Sequence, residues 1–283
     1  MKRLAPYLLI LPGGLWLLIF LVVPMVFMAS VSTQEGDILN GFVQTFDFSV
    51  YGDALTRYRT QFLRSVGYGL VGTAISIAMA YPVAYWIAFR GGSRKSTYLL
   101  LVLLPFFVSF VLRTVSWKFL LADDGLLLSP LKAMGLVAQD FHVLQTTVAV
   151  IGGLVYNYLP FMILPIYVAL ERIDPRVVEA AQDLYAARSQ AFTKVVLPLS
   201  LPGVFAGVLM TFVPMTADYV NAGILGGPAN TMIGNIIQTE YLVNADYPTA
   251  AALSFTLMAV MLVGIFAYAR ALGTENVLEA AAR

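Results

Sequence analysis

Apolar residues dominate long stretches of the chain, and the charged residues that interrupt them fall at wide intervals. No charge occurs between Arg3 and Glu35, Arg64 and Arg90, Lys95 and Arg113, Asp140 and Glu171, Lys194 and Asp218, or Asp246 and Arg270. A helix crossing a bilayer needs about 20 predominantly apolar residues. The pattern therefore predicts an all-α integral membrane protein with six spans, over residues 6–31, 65–89, 97–113, 144–170, 199–220 and 248–269. The third run is the shortest, and Arg113 at its end is expected to reach the interface by its long stem. A further uncharged run, Tyr219 to Thr239, holds Asn221, Gly223, Gly226, Gly227, Pro228, Asn230 and Gly234, a composition that breaks helices and predicts a loop dipping back toward the membrane.

Within the second span Ser76, Ala80, Ala84 and Ala88 recur at spacing four, a smooth ridge for close helix packing inside the subunit. Several prolines, Pro82, Pro105, Pro160, Pro165, Pro202 and Pro214 among them, lie in or beside spans and permit kinks. Between the spans, Ala122 to Leu127 reads as a turn leading into a short apolar element. No repeat or soluble insertion interrupts the pattern, so residues 1–283 form one transmembrane domain, and the apolar run after Lys2 and Arg3 is too long for the core of a cleaved signal.

Composition agrees: 59% of residues are hydrophobic and 12% charged, too few charges to cover a water-soluble fold. The chain has 17 basic and 16 acidic residues and carries no basic footprint for nucleic acid. With no cysteine and only His142, cysteine-based metal sites and histidine clusters are excluded. Sorted by side, the charges do carry information. With a cytoplasmic N-terminus, Lys2, Arg3, Arg90, Arg94, Lys95, Arg172, Arg176, Arg188, Lys194, Arg270 and Arg283 lie inside, against Arg57, Arg59, Arg64, Arg113, Lys118 and Lys132 outside. That bias predicts both termini in the cytoplasm. Most carboxylates fall on the outer side, which makes the outer mouth acidic.

The segment between the fourth and fifth spans, residues 171–198, is the richest in charge. Asp174 followed by Pro175 marks a helix start, with Val178, Ala181, Leu184 and Tyr185 on one side. Its spelling, Glu179-Ala180-Ala181, three residues, one position, nine residues, then Val195-Val196-Leu197-Pro198, resembles the EAA loop of permease subunits of binding-protein-dependent ABC importers. The resemblance implies that this helix couples to a cytoplasmic ATPase through Glu179, Ala180, Ala181, Asp183, Tyr185, Leu197 and Pro198. One position departs: Tyr185 stands where the family pattern has glycine, and tyrosine does not take a positive φ cheaply.

Leu104 to Thr114, Asp124 to Leu127, Gly153 to Met162 with Leu170 to Asp174, and Phe212-Val213-Pro214 with Ala217 to Val220 and Leu225 to Pro228 are similar to the spermidine/putrescine importer permeases. Related permeases for other small organic ions share much of this spelling. The resemblance implies a second homologous permease, two cytoplasmic ATPase subunits that hold ATP and Mg, an extracytoplasmic solute-binding protein, a lipid-embedded fold in the bacterial inner membrane, and no cofactor on this chain. A polycation needs carboxylates and aromatic faces along its path. Asp218 is the leading substrate-pathway candidate because an ionisable residue in a span is costly, and Tyr219, Tyr156 and Asn157 accompany it. The structural alternative for Asp218 is an ion pair with Arg113.

No Gly-rich phosphate loop followed by Lys and Ser/Thr is present, and the spans contain no nucleophile–base set. A catalytic role is therefore not expected. A secondary transporter would also use broken helices and buried carboxylates. The amphipathic loop favours half of a paired ABC pore instead.

Overall fold

The computed structural model of the chain describes residues 5–271. Lys2, Arg3, Glu275, Glu279 and Arg283, which enter the predicted charge bias, lie outside the described residues. The helices gather into two compact units. One takes in the described residues up to Thr60 together with Ile236–Leu262; the other takes in Gln61–Asn235 and the described residues from Val263.

In chain order the elements begin with α1 (Ala5–Leu17), a π turn (Leu18–Val22) and α2 (Val23–Val31), followed by the hairpin β1 (Gln34–Asp37) and β2 (Gly41–Gln44) and by α3 (Ser49–Arg57). The long helix α4 (Arg59–Arg90) follows, then α5 (Lys95–Leu103), α6 (Phe110–Leu121) and α7 (Leu128–Ala133). After these come α8 (Thr147–Glu171), α9 (Pro175–Asp183), α10 (Arg188–Ala191), a π turn (Phe192–Val196) and α11 (Leu197–Ala217). The chain continues through α12 (Val220–Leu225), α13 (Ile233–Leu242) and α14 (Tyr247–Ala271).

Five helices are long and apolar enough to cross a membrane, over Leu11–Val31, Arg59–Arg90, Thr147–Glu171, Arg188–Ala217 and Tyr247–Arg270. A sixth crossing exists if Gly92–Phe107 and Phe110–Leu121, bent by 86° at their junction, count as one broken span. The third predicted span, residues 97–113, is thus broken rather than continuous. Pro105 removes a helical N–H, a 3₁₀ turn covers Leu104–Phe107, and Val108 and Ser109 are extended before α6 begins. The run after Asp218, expected as a loop, instead forms α12 and α13, with Gly226, Gly227 and Pro228 at the junction between them and Gly223 and Gly234 inside the helices. The hairpin is the described departure from helix. Asp37 closes it, its Oδ1 accepting from the Leu39 and Asn40 amides.

Local chemistry explains the breaks in helical regularity. Both π turns sit directly N-terminal to a proline, Pro24 or Pro198, whose ring cannot continue the normal ladder. In the second unit the main helix pair is α8 with α11. Lipid supplies no hydrophobic drive between helices, so close approach of backbones supplies the contact. A Cβ on Gly207 would sit 2.6 Å from Met162 Sδ, which shows how little room a larger residue would have. The predicted ridge on α4 is buried along its length, and Ala80, Ala84 and Ala88 join Met162, Ile166, Leu170, Val196 and Val204 in one apolar cluster. The span Leu11–Val31 shows the opposite: none of its side chains is buried within the chain.

Candidate functional site

The loop between α8 and α11 folds as its sequence directs. Asp174 caps α9, accepting from the Arg176 amide at 2.9 Å, and Pro175 occupies the first turn. Ile173 is buried and Val178 is packed against the α4–α8–α11 cluster, which fixes the helix to the body of its unit. Glu179, Ala180 and Asp183 are exposed, Ala181 is half-buried, and Leu197 and Pro198 open α11, half-buried and exposed respectively. The helix ends in a Schellman motif: the Ala186 amide donates to Ala181 O at 3.1 Å and the Tyr185 amide to Gln182 O at 2.9 Å. Tyr185 takes φ of 63° there. The left-handed turn that glycine would allow is therefore made by tyrosine, at the steric cost of a Cβ, and its ring is 98% exposed.

A second constellation sits at the broken span. Asp218 ends α11 and caps α12; its Oδ1 accepts from the Asn221 amide at 2.7 Å. Its Oδ2 accepts from Asn221 Nδ2 and from the Tyr158 hydroxyl, each at 3.0 Å. Asn221 Oδ1 in turn accepts from Asn157 Nδ2 at 3.0 Å, and Asn157 Nδ2 also donates to Thr114 Oγ1 at 3.1 Å. One hydrogen-bonded wall thus runs from α6 through α8 to the α11–α12 junction. Asn157, Asn221 and Thr114 in it are buried. Gly153 admits it: a Cβ there would meet Asn221 Oδ1 at 2.8 Å and Leu225 Cδ1 at 2.6 Å.

Arg113 does not reach an interface, nor does it pair with Asp218, whose partners are neutral donors. The 86° bend turns the first turn of α6 inward and buries Arg113 to 7% exposure. Its guanidinium carbon lies 4.2 Å from the Phe106 ring centroid and 5.8 Å from that of Phe110. Phe106, Phe110, Arg113, Asn157, Tyr158 and Phe161 line a cavity of about 460 Å³. The ion pairs among the described residues are Lys95–Glu171 at 2.9 Å and Lys132–Asp123 at 3.1 Å, and neither includes a residue of this wall.

The sequence candidates separate accordingly. Asp218 and Asn157 fall in one network. Tyr156 leaves it, stacking edge-on against Trp117 at 5.2 Å between centroids, and Tyr219 is 47% exposed. Tyr158, Asn221 and Thr114 belong to the wall and were not singled out by pattern, because a polar residue in a span declares a need for a partner without naming it. A comparable buried carboxylate in the other unit also escaped notice. Glu240 is held by the Tyr58 hydroxyl and by Asn244 Nδ2 at 2.9 Å. Burial first, then the hydrogen bond and charge of Glu240, push the Tyr58 hydroxyl up to about 12.

Residues 6–271 match the family of binding-protein-dependent transport system inner membrane components. The chain belongs to that family. This permease is 34% identical over 257 residues to the spermidine/putrescine transport system permease protein PotB of Haemophilus influenzae, covering 90% of each chain. It is 32% identical to PotB of Escherichia coli, over 90% of this chain and 94% of that one. The inner membrane ABC transporter permease protein YdcU of Escherichia coli matches at 32% over 231 residues, 76% of this permease and 72% of YdcU. Among solved structures, a bacterial ABC transporter involved in import of the acidic polysaccharide alginate shares the fold, with a TM-score of 0.71 at 21% identity over 96% of both chains. The MetNI methionine ABC transporter aligns with a TM-score of 0.56 at 17% identity, covering 75% of this permease and 94% of that chain. The chain is thus an ABC importer permease of the inner membrane, a transport subunit.

Proposed function

We propose that the permease forms half of a translocation pathway for polyamines of the spermidine and putrescine class. The observation that carries this is its kinship with PotB along nine-tenths of both chains. A second, homologous permease supplies the other half. An extracytoplasmic solute-binding protein delivers substrate to the outer mouth, and both termini lie in the cytoplasm.

Two cytoplasmic ATPase subunits, which bind ATP and Mg, dock on the loops of the two permeases. On this chain the contact is made by Glu179, Ala180, Ala181, Asp183 and Tyr185, with Leu197 and Pro198 carrying motion into α11. The exposed surface of α9 supports that assignment. This chain performs no bond chemistry and binds no cofactor. ATP-driven closure of the ATPases shifts the pore between inward- and outward-open states, each favoured by the ligand that binds it better.

Asp218 supplies negative charge to the path, aided by Tyr156, Tyr219 and Asn157, with aromatic faces attracting ammonium groups at about 0.5–2 kcal/mol each. Uptake of labelled spermidine by cells carrying the whole importer tests the reading. Asp218→Asn lowers uptake while the complex still assembles; unchanged uptake removes Asp218 from the path. Transport that persists without any ATPase subunit overturns the coupling assignment in favour of a secondary carrier.

A further inference from the structure

The loop between α8 and α11 touches a second spanning helix besides the one it leads into. Its helix α9 packs against the π turn Phe192–Val196. Phe192, the first residue of that turn, meets the rings of Tyr81 and Tyr85 on α4 edge-on, at 5.7 Å between centroids in each case. Tyr81 and Tyr85 stand four residues apart, so they lie one above the other on the same side of α4. Edge-to-face pairs fix the orientation of the rings as well as their distance.

Tyr81 is held from a second side. The Ser200 hydroxyl spends its hydrogen on Leu197 O at 2.9 Å, so it accepts from the Tyr81 hydroxyl at 2.7 Å. Leu197 opens α11, and Ser200 lies in its first turn, fully buried. Toward the far end of α11, Thr73 Oγ1 donates to Met215 Sδ at 3.8 Å, and a Cβ on Gly72 would come within 3.1 Å of that sulfur. Contacts with α4 thus tie α11 near both of its ends. Displacement of α9 reaches α11 along the chain, through Leu197 and Pro198. Phe192 gives α4 its own contact with the loop, at a π turn, a feature that is rare in helices and recurs at functional sites.

We infer that Phe192 is a positioning residue for energy coupling: its ring, set against Tyr81 and Tyr85, carries displacement of the loop into α4, so that α4 and α11 move as one arm. The inference rests on the ATPase-docking role proposed for the loop and is independent of which substrate passes. A contiguous set of contacts becomes a coupling route only when breaking it changes coupling, so the test reads coupling and not stability alone.

The assembled importer, with its ATPases and solute-binding protein, is reconstituted in proteoliposomes, and labelled putrescine imported is measured against ATP hydrolysed. Phe192→Ala is expected to keep ATPase co-extraction and to lower putrescine imported per ATP about five-fold, at the low end of the range for coupled sites. Phe192→Tyr keeps the ring and should restore most of the ratio, whereas Phe192→Leu, which only fills space, should not. Tyr85→Ala should reproduce the loss, and the double variant Phe192→Ala with Tyr85→Ala should be no worse than either alone, since both break one contact. A ratio unchanged in the assembled Phe192→Ala complex overturns the inference, as do losses that multiply in the double variant.

The chain has no cysteine, so spin labels can be placed on it without removing any. Labels at Arg90→Cys and Thr193→Cys, both exposed and outside the ring contact, should keep their separation between nucleotide-free and ATP-trapped complexes with Phe192 in place. A separation that changes overturns the inference, whichever ring variants assemble and whichever substrate is carried. Co-extraction of the ATPases with the wild-type chain judges the docking reading separately, so each can fail alone.

Discussion

The loop from Pro175 to Pro198 leaves apolar side chains in water, whereas the wall around Asn157 keeps charge and amides out of it. On the loop, Leu184 and Tyr185 are 82% and 98% exposed, and Tyr185 holds a left-handed turn. In the wall, Arg113 and Asp218 are 7% and 6% exposed. Both arrangements cost free energy within the isolated chain. On the proposed reading the loop's cost is relieved by the ATPase surface that docks on it, whereas the carboxylate of the wall is met within the chain, by the Tyr158 hydroxyl and Asn221. An exposed apolar turn and a buried cation without an ion pair among the described residues are thus opposite departures from the usual rule of burial.

Substitutions can break that symmetry, and the largest effect falls on the loop. Glu179→Arg reverses a charge at the middle of α9, and losses at charged interface positions run to about 2–5 kcal/mol. The expected outcome is loss of ATPase co-extraction in detergent and collapse of uptake; retained co-extraction places the contact elsewhere. In the wall, Arg113→Met removes a buried cation that lacks a charged partner. Stability of the solubilised complex should hold or rise by about 1–3 kcal/mol, since apolar replacement of buried charge is often neutral or favourable. A fall in midpoint temperature instead would reveal a counter-charge on Arg113 and sink the contrast.

Asp218→Asn is expected to cut spermidine uptake about ten-fold, a transition-state loss near 1.4 kcal/mol. The amide has one oxygen and cannot accept both from the Asn221 backbone amide on one side and from the Tyr158 hydroxyl and Asn221 Nδ2 on the other, so a companion thermal scan should show a modest drop with assembly intact. The smallest effect belongs to Tyr185→Gly. Removing a Cβ from a φ of 63° relieves about 1 kcal/mol, read as a rise of a few degrees in midpoint temperature. A decrease would mean that the exposed ring contributes more to the resting loop than its conformation costs.

Much of the fold could be read from charge spacing, because membrane spans are defined by what they exclude. The helix start in the 171–198 loop was equally legible, down to the cap at Asp174. Arg113 was not. A linear pattern places it at the end of an apolar run, where an arginine reaches outward, and only the bend at Val108–Ser109 turns it inward. Pro105 was the visible signal, yet a proline announces a break without its angle. Asp218 was recognised as costly, but its neutral clamp of Tyr158 and Asn221 depends on α8 and α12 meeting, which no local spacing encodes. Tyr185 shows the reverse case: the strain was foreseen from residue type, and the backbone accepts it.

The π turn at Phe192–Val196 has a mechanical consequence. From Arg188 to Ala217 the helix is continuous over 30 residues, about 45 Å at the usual rise. Asp218 is the next residue after it, so the loop and the polar wall occupy opposite ends of one lever arm with no hinge loop between. The π turn takes up one extra residue of that arm locally, as a bulge. Deleting a single residue at the π turn would restore a regular α-turn and keep Asp218 in phase with the loop, whereas a deletion in the regular part of the arm would rotate Asp218 by about 100° relative to the loop.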